Sequence, residues 1–240
     1  MQIDNEFRLI CSFEQSAKIN MAIDKALATT FHKDDTPILR FYTWEKSFTV
    51  GVSQKTQDYI NDYAEYNENC AKRLTGGGVL FHGHDVSYSL LLPSGFSKEL
   101  TVKQTYEKIC SFLLTFYRSL GLEANYAKDI PAIDLSKSNF CQVGFEAYDI
   151  IVNGLKIGGN AQKWSKHVIF QHGSIPINEI EKKEELGNSL QDVGVNLTYA
   201  QAIDKLIDAF ETTFKATLNP STLNDKENEK LKGLLDNDNA

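Results

Sequence analysis

Arg73-Leu-Thr-Gly-Gly-Gly-Val-Leu-Phe-His-Gly83 is the stretch on which the reading of this chain turns. Three consecutive glycines cost backbone entropy when they are ordered. A chain accepts that cost where the backbone must turn through positive φ, or where a ligand must lie against bare amides. An Arg and a Thr come just before the glycines. His82 and an alternating run, Val86-Ser-Tyr-Ser-Leu-Leu-Leu92, come just after. The segment reads as a loop of hydrogen-bond donors leading into a strand, a setting for an acyl or nucleotide ligand. The other reading is a tight bend with incidental glycines.

Working outward, 240 residues suit one large domain or one domain with a small appendage. Hydrophobic residues make up 42% and charged residues 24%, ordinary proportions for a globular protein. A net charge of −7 speaks against a general nucleic-acid binder. No apolar run approaches a membrane span, and Met1-Gln-Ile-Asp-Asn-Glu6 has neither the basic nor the apolar part of a signal peptide. The expected location is the cytoplasm. Cys11, Cys70, Cys110 and Cys141 are too far apart for a C-x-x-C pair and read as reduced thiols, most of them core filler. His82, His84 and His172 lack metal-motif spacing, so no metal site is expected.

The pattern predicts strands at 7–13, 38–44, 48–50 and 86–92. It predicts helices over about 14–28, 102–120 and 198–216, from apolar residues at helical spacing. Asn153-Gly154 between Ala147–Val152 and Leu155–Ile157 signals a hairpin. A strand at His167–Phe170 leads to Gln171-His-Gly-Ser-Ile175. Strands interrupted by long helices suggest one α+β domain with a mostly antiparallel sheet flanked by helices, over 1–219. A charged tail, 220–240, is expected to form a short helix or to fray.

Four segments can carry chemistry. The glycine loop is the first. In the second, Lys156 precedes Gly158-Gly159 and can reach a carbonyl or phosphate oxygen, or is merely a solvated hairpin lysine. Cys141, in Asn139-Phe-Cys-Gln-Val-Gly-Phe145, is either a nucleophile towards thioesters or a buried inert thiol. His172, in Gln171-His-Gly-Ser174, is either a ligand contact or a satisfied core histidine.

In order along the chain, these segments resemble the lipoate-protein ligase and octanoyltransferase family, which shares its catalytic fold with biotin-protein ligases. The resemblance runs through Asn20-Met-Ala-x-Asp24, Arg40-Phe-Tyr-x-Trp44, Ser47-Phe-Thr-Val-Gly-x-x-Gln54 and Lys72-Arg73-x-Thr-Gly-Gly-Gly78 with His82. It continues through Gly154-x-Lys-Ile-x-Gly-Asn-Ala-Gln162 and Gln171-His-Gly-Ser-Ile175. Cys141, Tyr148-Asp149 and Lys156 look like the layout of the single-domain, cysteine-dependent octanoyltransferase branch.

The resemblance implies an acyltransferase that attaches an octanoyl or lipoyl group to a lysine of a lipoyl domain through a Cys141 thioester. Lys156 would stabilise the oxyanion, and His82 is a candidate general base. Arg73, Thr75, Gly76, Gly77, Gly78, Gly159, Asn160, Ala161, Gln171, His172 and Gly173 would bind the acyl group or substrate. Lys72, Arg73, Lys163 and Lys166 would form a basic rim for an acidic acceptor. The implied donor is acyl carrier protein, and the transferase needs no cofactor. The alternatives are an ATP- and Mg-dependent lipoate ligase acting through lipoyl-adenylate, a lipoyl amidotransferase between lipoyl proteins, and a non-catalytic acyl-binding scaffold.

Overall fold

The structure is a computed structural model and describes residues 5–60, 63–66, 69–133, 146–179 and 187–237. Cys141 lies outside the described residues. The chain runs β1 (Glu6–Gln15), α1 (Ala17–Thr30), β2 (Ile38–Trp44), β3 (Ser47–Val50), a one-turn α2 (Gln57–Ile60), β4 (Cys70–Lys72), β5 (Leu80–His82) and β6 (Asp85–Pro93). Then come α3 (Val102–Ser119), β7 (Ala124–Tyr126), β8 (Ile150–Val152), β9 (Leu155–Lys156), β10 (Gly159–Trp164), β11 (Val168–Pro176), α4 (Tyr199–Phe214), β12 (Thr217–Pro220) and α5 (Asp225–Asn237).

Six strands form the main sheet in the order β10-β11-β6-β2-β1-β12. Pairing is antiparallel from β10 to β2 and parallel from β2 through β1 to β12. The architecture is α+β with a mostly antiparallel sheet flanked by helices. On one face, Phe41, Tyr88, Leu90 and Ile175 pack with Phe112 and Phe116 of α3 and Leu206 and Phe210 of α4. On the other face, Ile10, Ile38, Leu91 and Phe170 pack with Ile23 and Leu27 of α1, and Leu231 of α5 joins them. Two small sheets, β4-β3-β5 and β7-β8-β9, stand beside the main one.

Caps fix where the long helices begin. Ser16 accepts from the Ile19 amide, so α1 starts later than the apolar spacing suggests and β1 runs on to Gln15. Thr101 and Thr198 each form a reciprocal capping box, with Gln104 and Gln201.

Two strand expectations and one about a cysteine need correction. Gln171-His-Gly-Ser174 does not follow a strand but continues β11 as far as Pro176. The polar side chains stay in the sheet because each finds a buried partner: Gln171 donates to the Tyr88 hydroxyl and Ser174 donates to Asp85. In the hairpin, β8 begins only at Ile150, since Glu146–Asp149 closes a turn through a hydrogen bond that the Asp149 amide donates to the Glu146 carbonyl. Cys11 is exposed on β1 rather than packed in the core, while Cys110 is buried as expected.

Serines 87 and 89 show why the alternation in β6 is informative. Val86, Tyr88, Leu90 and Leu92 face the α3/α4 side. Ser87 and Ser89 face the other way, yet they are buried, because α1 covers that side. Ser89 donates to Asp24 of α1 (2.8 Å), and Ser87 accepts from the Trp44 indole (3.0 Å) and donates to Asp85 (3.0 Å).

Candidate active site

Between the first turns of α3, the glycine loop, the β8–β9 hairpin and β10 lies a cavity of about 610 Å³. That volume falls in the usual range for small-molecule sites. Its apolar lining includes Met21, Tyr42, Trp44 and Leu80. Its polar lining includes Arg73, the amides of Gly76, Gly77 and Gly78, Lys156 and Asp149.

Behind Tyr42 lies a buried polar network. Arg40 donates to Asp24 (2.8 Å), to Asn20 and to Ser12, and its guanidinium lies over the Tyr42 ring (3.9 Å). Tyr42 donates to the second Asp24 oxygen (3.1 Å). Burial pushes the Asp24 carboxyl up, and the Arg40 charge opposes it. Period-2 alternation places Arg40, Tyr42 and Trp44 on one face of β2, so the strand turns a charge inward and presents two aromatic rings to the cavity.

The glycine loop is braced from inside. Arg73 donates to the Thr49 carbonyl (2.8 Å) and hydroxyl (2.9 Å), and to the Gly78 carbonyl (2.6 Å). It is buried at the cavity wall and does not belong to an exposed basic rim, whereas Lys72, Lys163 and Lys166 are exposed. Gly77 sits at φ 107°, and a Cβ on neighbouring Gly51 would fall 2.2 Å from the Gly77 oxygen. Gly76 differs: its φ is ordinary, and a Cβ there would meet no atom within 4 Å.

His82 lines the cavity, stacked on Trp44 with ring centroids 3.7 Å apart. Its Nδ1 faces Asp85 (3.0 Å) and its Nε2 faces the Thr49 hydroxyl (2.9 Å). A general-base role for His82 therefore requires one of these bonds to open. Burial pushes the Asp85 carboxyl up, but the His82 charge, that hydrogen bond and the others outweigh it and hold the group down at about 2. A carboxylate opposite Nδ1 fixes the proton on that nitrogen. His172 also reaches the cavity, with its Nε2 bonded to the Thr75 hydroxyl (2.7 Å). Burial first, then the Arg73 and His82 charges, pull it down to about 3, so it is neutral.

Lys156 is only 6% exposed, which removes the solvated-lysine reading. Its Nζ lies 2.6 Å from Asp149 Oδ2 at the cavity wall. Burial raises the Asp149 carboxyl, and the Lys156 charge opposes that rise.

Of the residues singled out from sequence, Arg73, Gly76, Gly77, Gly78, His82, Lys156, Gly159, Asn160, Ala161, His172 and Gly173 line this one cavity. Thr75 and Gln171 stand behind its wall. Thr75 bonds His172, and Gln171 bonds Gln162, Tyr88 and Cys110. The sequence reading left Met21, Tyr42, Trp44, Leu80, Tyr106, Asp149 and Trp164 out of its site set, though all line the cavity. The same-face spacing of Arg40, Tyr42 and Trp44 was the signal for two of them. Among the described residues no group of three or more His, Cys, Asp or Glu is placed to hold a metal ion, and no helix is long and apolar enough to cross a membrane.

Residues 16–211 match the family described as the lipoyl protein ligase A/B catalytic domain. An octanoyltransferase LipM of Oceanobacillus iheyensis is 28% identical, covering 89% of this chain and 87% of its own. An octanoyltransferase LipM of an Exiguobacterium species is 33% identical, over 82% and 80%. A solved bipartite lipoate protein ligase from Thermoplasma acidophilum, described with its E2 lipoyl domain, superposes with a TM-score of 0.75 at 21% identity, over 98% and 93%.

Proposed function

This chain belongs to the lipoyl protein ligase A/B catalytic domain family, and from that premise we propose that it transfers an octanoyl group from a carrier thioester to a lysine of a lipoyl domain. The observation that carries the reading is the cavity itself. One cavity is lined by the apolar faces of Tyr42, Trp44 and Leu80 together with a buried ammonium and a loop of glycine amides. That is what a fatty thioester needs: a slot for the hydrocarbon and a cationic, donor-rich wall for the carbonyl.

Seating the octanoyl chain removes its methylenes from water, worth on the order of 5 kcal/mol at about 0.8 per methylene. The Cys141 thiolate attacks the thioester carbonyl, and the tetrahedral oxyanion is stabilised by the Lys156 ammonium and the Gly76–Gly78 amides. The carrier thiolate leaves and takes a proton, and a Cys141 thioester remains. The acceptor lysine, as its free amine, then attacks this acyl-enzyme. The C–N bond forms, the C–S bond breaks, the amine loses a proton and Cys141 is regenerated. No step uses a nucleotide or a metal. Exposed Lys163 of β10 and Lys166 just after it suit an acidic acceptor. The match to relatives named octanoyltransferase favours this chemistry over ATP-dependent ligation.

The test offers octanoyl carrier protein, or lipoate with ATP and Mg, to purified protein with a lipoyl domain. Expected is octanoylation without nucleotide, an acyl-enzyme cleaved by hydroxylamine, and loss of both in Cys141→Ala. Labelling only with lipoate and ATP, surviving Cys141→Ala, would replace the transferase by a ligase.

A further inference from the structure

A lysine side chain has four rotatable bonds, and an oxyanion donor must be held in place before the charge develops. Something must therefore fix the Lys156 ammonium. Its main chain is fixed by pairing with Ile151 across the hairpin and by a bond from the Asn188 amide to its carbonyl (3.2 Å). Its tip meets Asp149 at 2.6 Å.

Asp149 is itself anchored on every side. Its Oδ2 accepts from the Glu146 amide (2.7 Å), its own amide donates to the Glu146 carbonyl (3.0 Å), and its carbonyl accepts from the Ala127 amide (2.8 Å). Between these ends, the Tyr148 ring packs against Tyr106 and Tyr126 with centroids 5.7 and 6.2 Å apart. The carboxylate is thus a fixed point and the ammonium is the adjustable one. Asp149 is 7% exposed and the pair lies at the cavity wall, so water screens the contact little.

We infer that Asp149 is a positioning residue, holding the Lys156 ammonium at the place where the acyl carbonyl develops negative charge. This rests on the transferase reading. Asp149 touches neither acyl group nor amine. It acts by fixing one of the three donor directions of the ammonium, so that the tip does not have to be ordered as the reaction proceeds. An ion pair serving the fold alone would have the same geometry, so the two roles must be separated by rate and not by stability.

The experiment is a double-mutant cycle on the full chain with D149N, K156M and D149N/K156M, plus D149E. Each is assayed for kcat and KM of octanoyl transfer to a lipoyl domain, with residual rates read by single-turnover mass spectrometry. Thermal unfolding is followed in parallel. D149N is expected to lower kcat by about ten- to a hundredfold with little change in KM, short of the 10²–10³ lost when an oxyanion donor is removed. In the K156M background the same change should cost nothing further. D149E should recover part of the rate. Should D149N fail to fold, D149E and the uncharged D149N/K156M pair still carry the comparison. Wild-type kcat in D149N, or an equal loss in both backgrounds, would overturn the proposal. Cys141→Ala run alongside separates the two readings. Transfer that survives it removes the thioester mechanism, while the Asp149–Lys156 coupling is still read from the ratios.

Discussion

Gly76 shows how a single residue separates demands of the fold from demands of the site. Its neighbour Gly77 is forced to be glycine, because φ 107° is open to few other residues. Gly76 has no such need. Its backbone is ordinary and the space beyond its Cα is open towards the cavity. The missing side chain therefore leaves room for substrate. Gly76→Ala is expected to keep or raise stability, by about 0.4–1 kcal/mol through the unfolded chain, while the donor KM rises about tenfold, or 1.4 kcal/mol of lost binding. Gly77→Ala should instead destabilise, through strain of about 1–3 kcal/mol. Thermal unfolding paired with steady-state kinetics decides it. An unstable Gly76→Ala, or one with an unchanged KM, would mean that the glycine serves the loop and not the ligand.

At the scale of elements, α5 is tied to the sheet by one arginine. Arg8 of β1 meets both oxygens of Glu227 (2.7 and 2.9 Å) and also donates to Ser221 and the Thr222 carbonyl. The same Glu227 accepts from the Asn224 amide, and Asn224 accepts from the Glu227 amide, so the residue both caps α5 and docks it. Glu227→Ala is expected to cost about 0.5–2 kcal/mol and to release amide protection over 225–237, with octanoyl transfer unchanged. Hydrogen exchange that speeds up uniformly, or not at all, would contradict a local latch. The three long helices were legible from sequence because their apolar faces repeat at helical spacing. The burial of the end of β11 was not legible, since residue type alone does not show that Gln171, His172 and Ser174 are satisfied by Tyr88, Thr75 and Asp85. The glycine loop, His82 and Lys156 could be found from residue type and order. The pairing of Asp149 with Lys156 depends on a turn that brings positions seven apart within 2.6 Å, which no local pattern specifies.

Across the whole molecule, the sheet is apolar on both faces, and the buried polar groups gather at the cavity end of β2, β5, β6 and β11. That arrangement makes stability depend on pH in a definite order. His172 and His84 are held neutral, the first down at about 3 and the second at about 4, in both cases chiefly by burial. Among the described residues, the His84 Nε2 is buried without a hydrogen-bond partner. Unfolding frees both rings to protonate near 6.5. Below that pH the unfolded chain binds protons that the folded chain refuses, so stability falls with pH. The slope is at most about 1.4 kcal/mol per pH unit for each ring, from about 6.5 down to about 4 for His84 and to about 3 for His172. Asp85 acts in a lower window. Held at about 2, its carboxylate contributes stability that is present above about 4 and is lost as pH falls towards 2. Denaturant unfolding between pH 8 and pH 3 should therefore show a plateau above about 7 and a steady loss below 6.5. His84→Gln, which removes one proton-binding ring from both states, should flatten the upper part of that slope while leaving the loss below pH 4 in place. A slope that is the same in His84→Gln and the unaltered chain would show that the ring titrates in the folded protein as it does in the unfolded one.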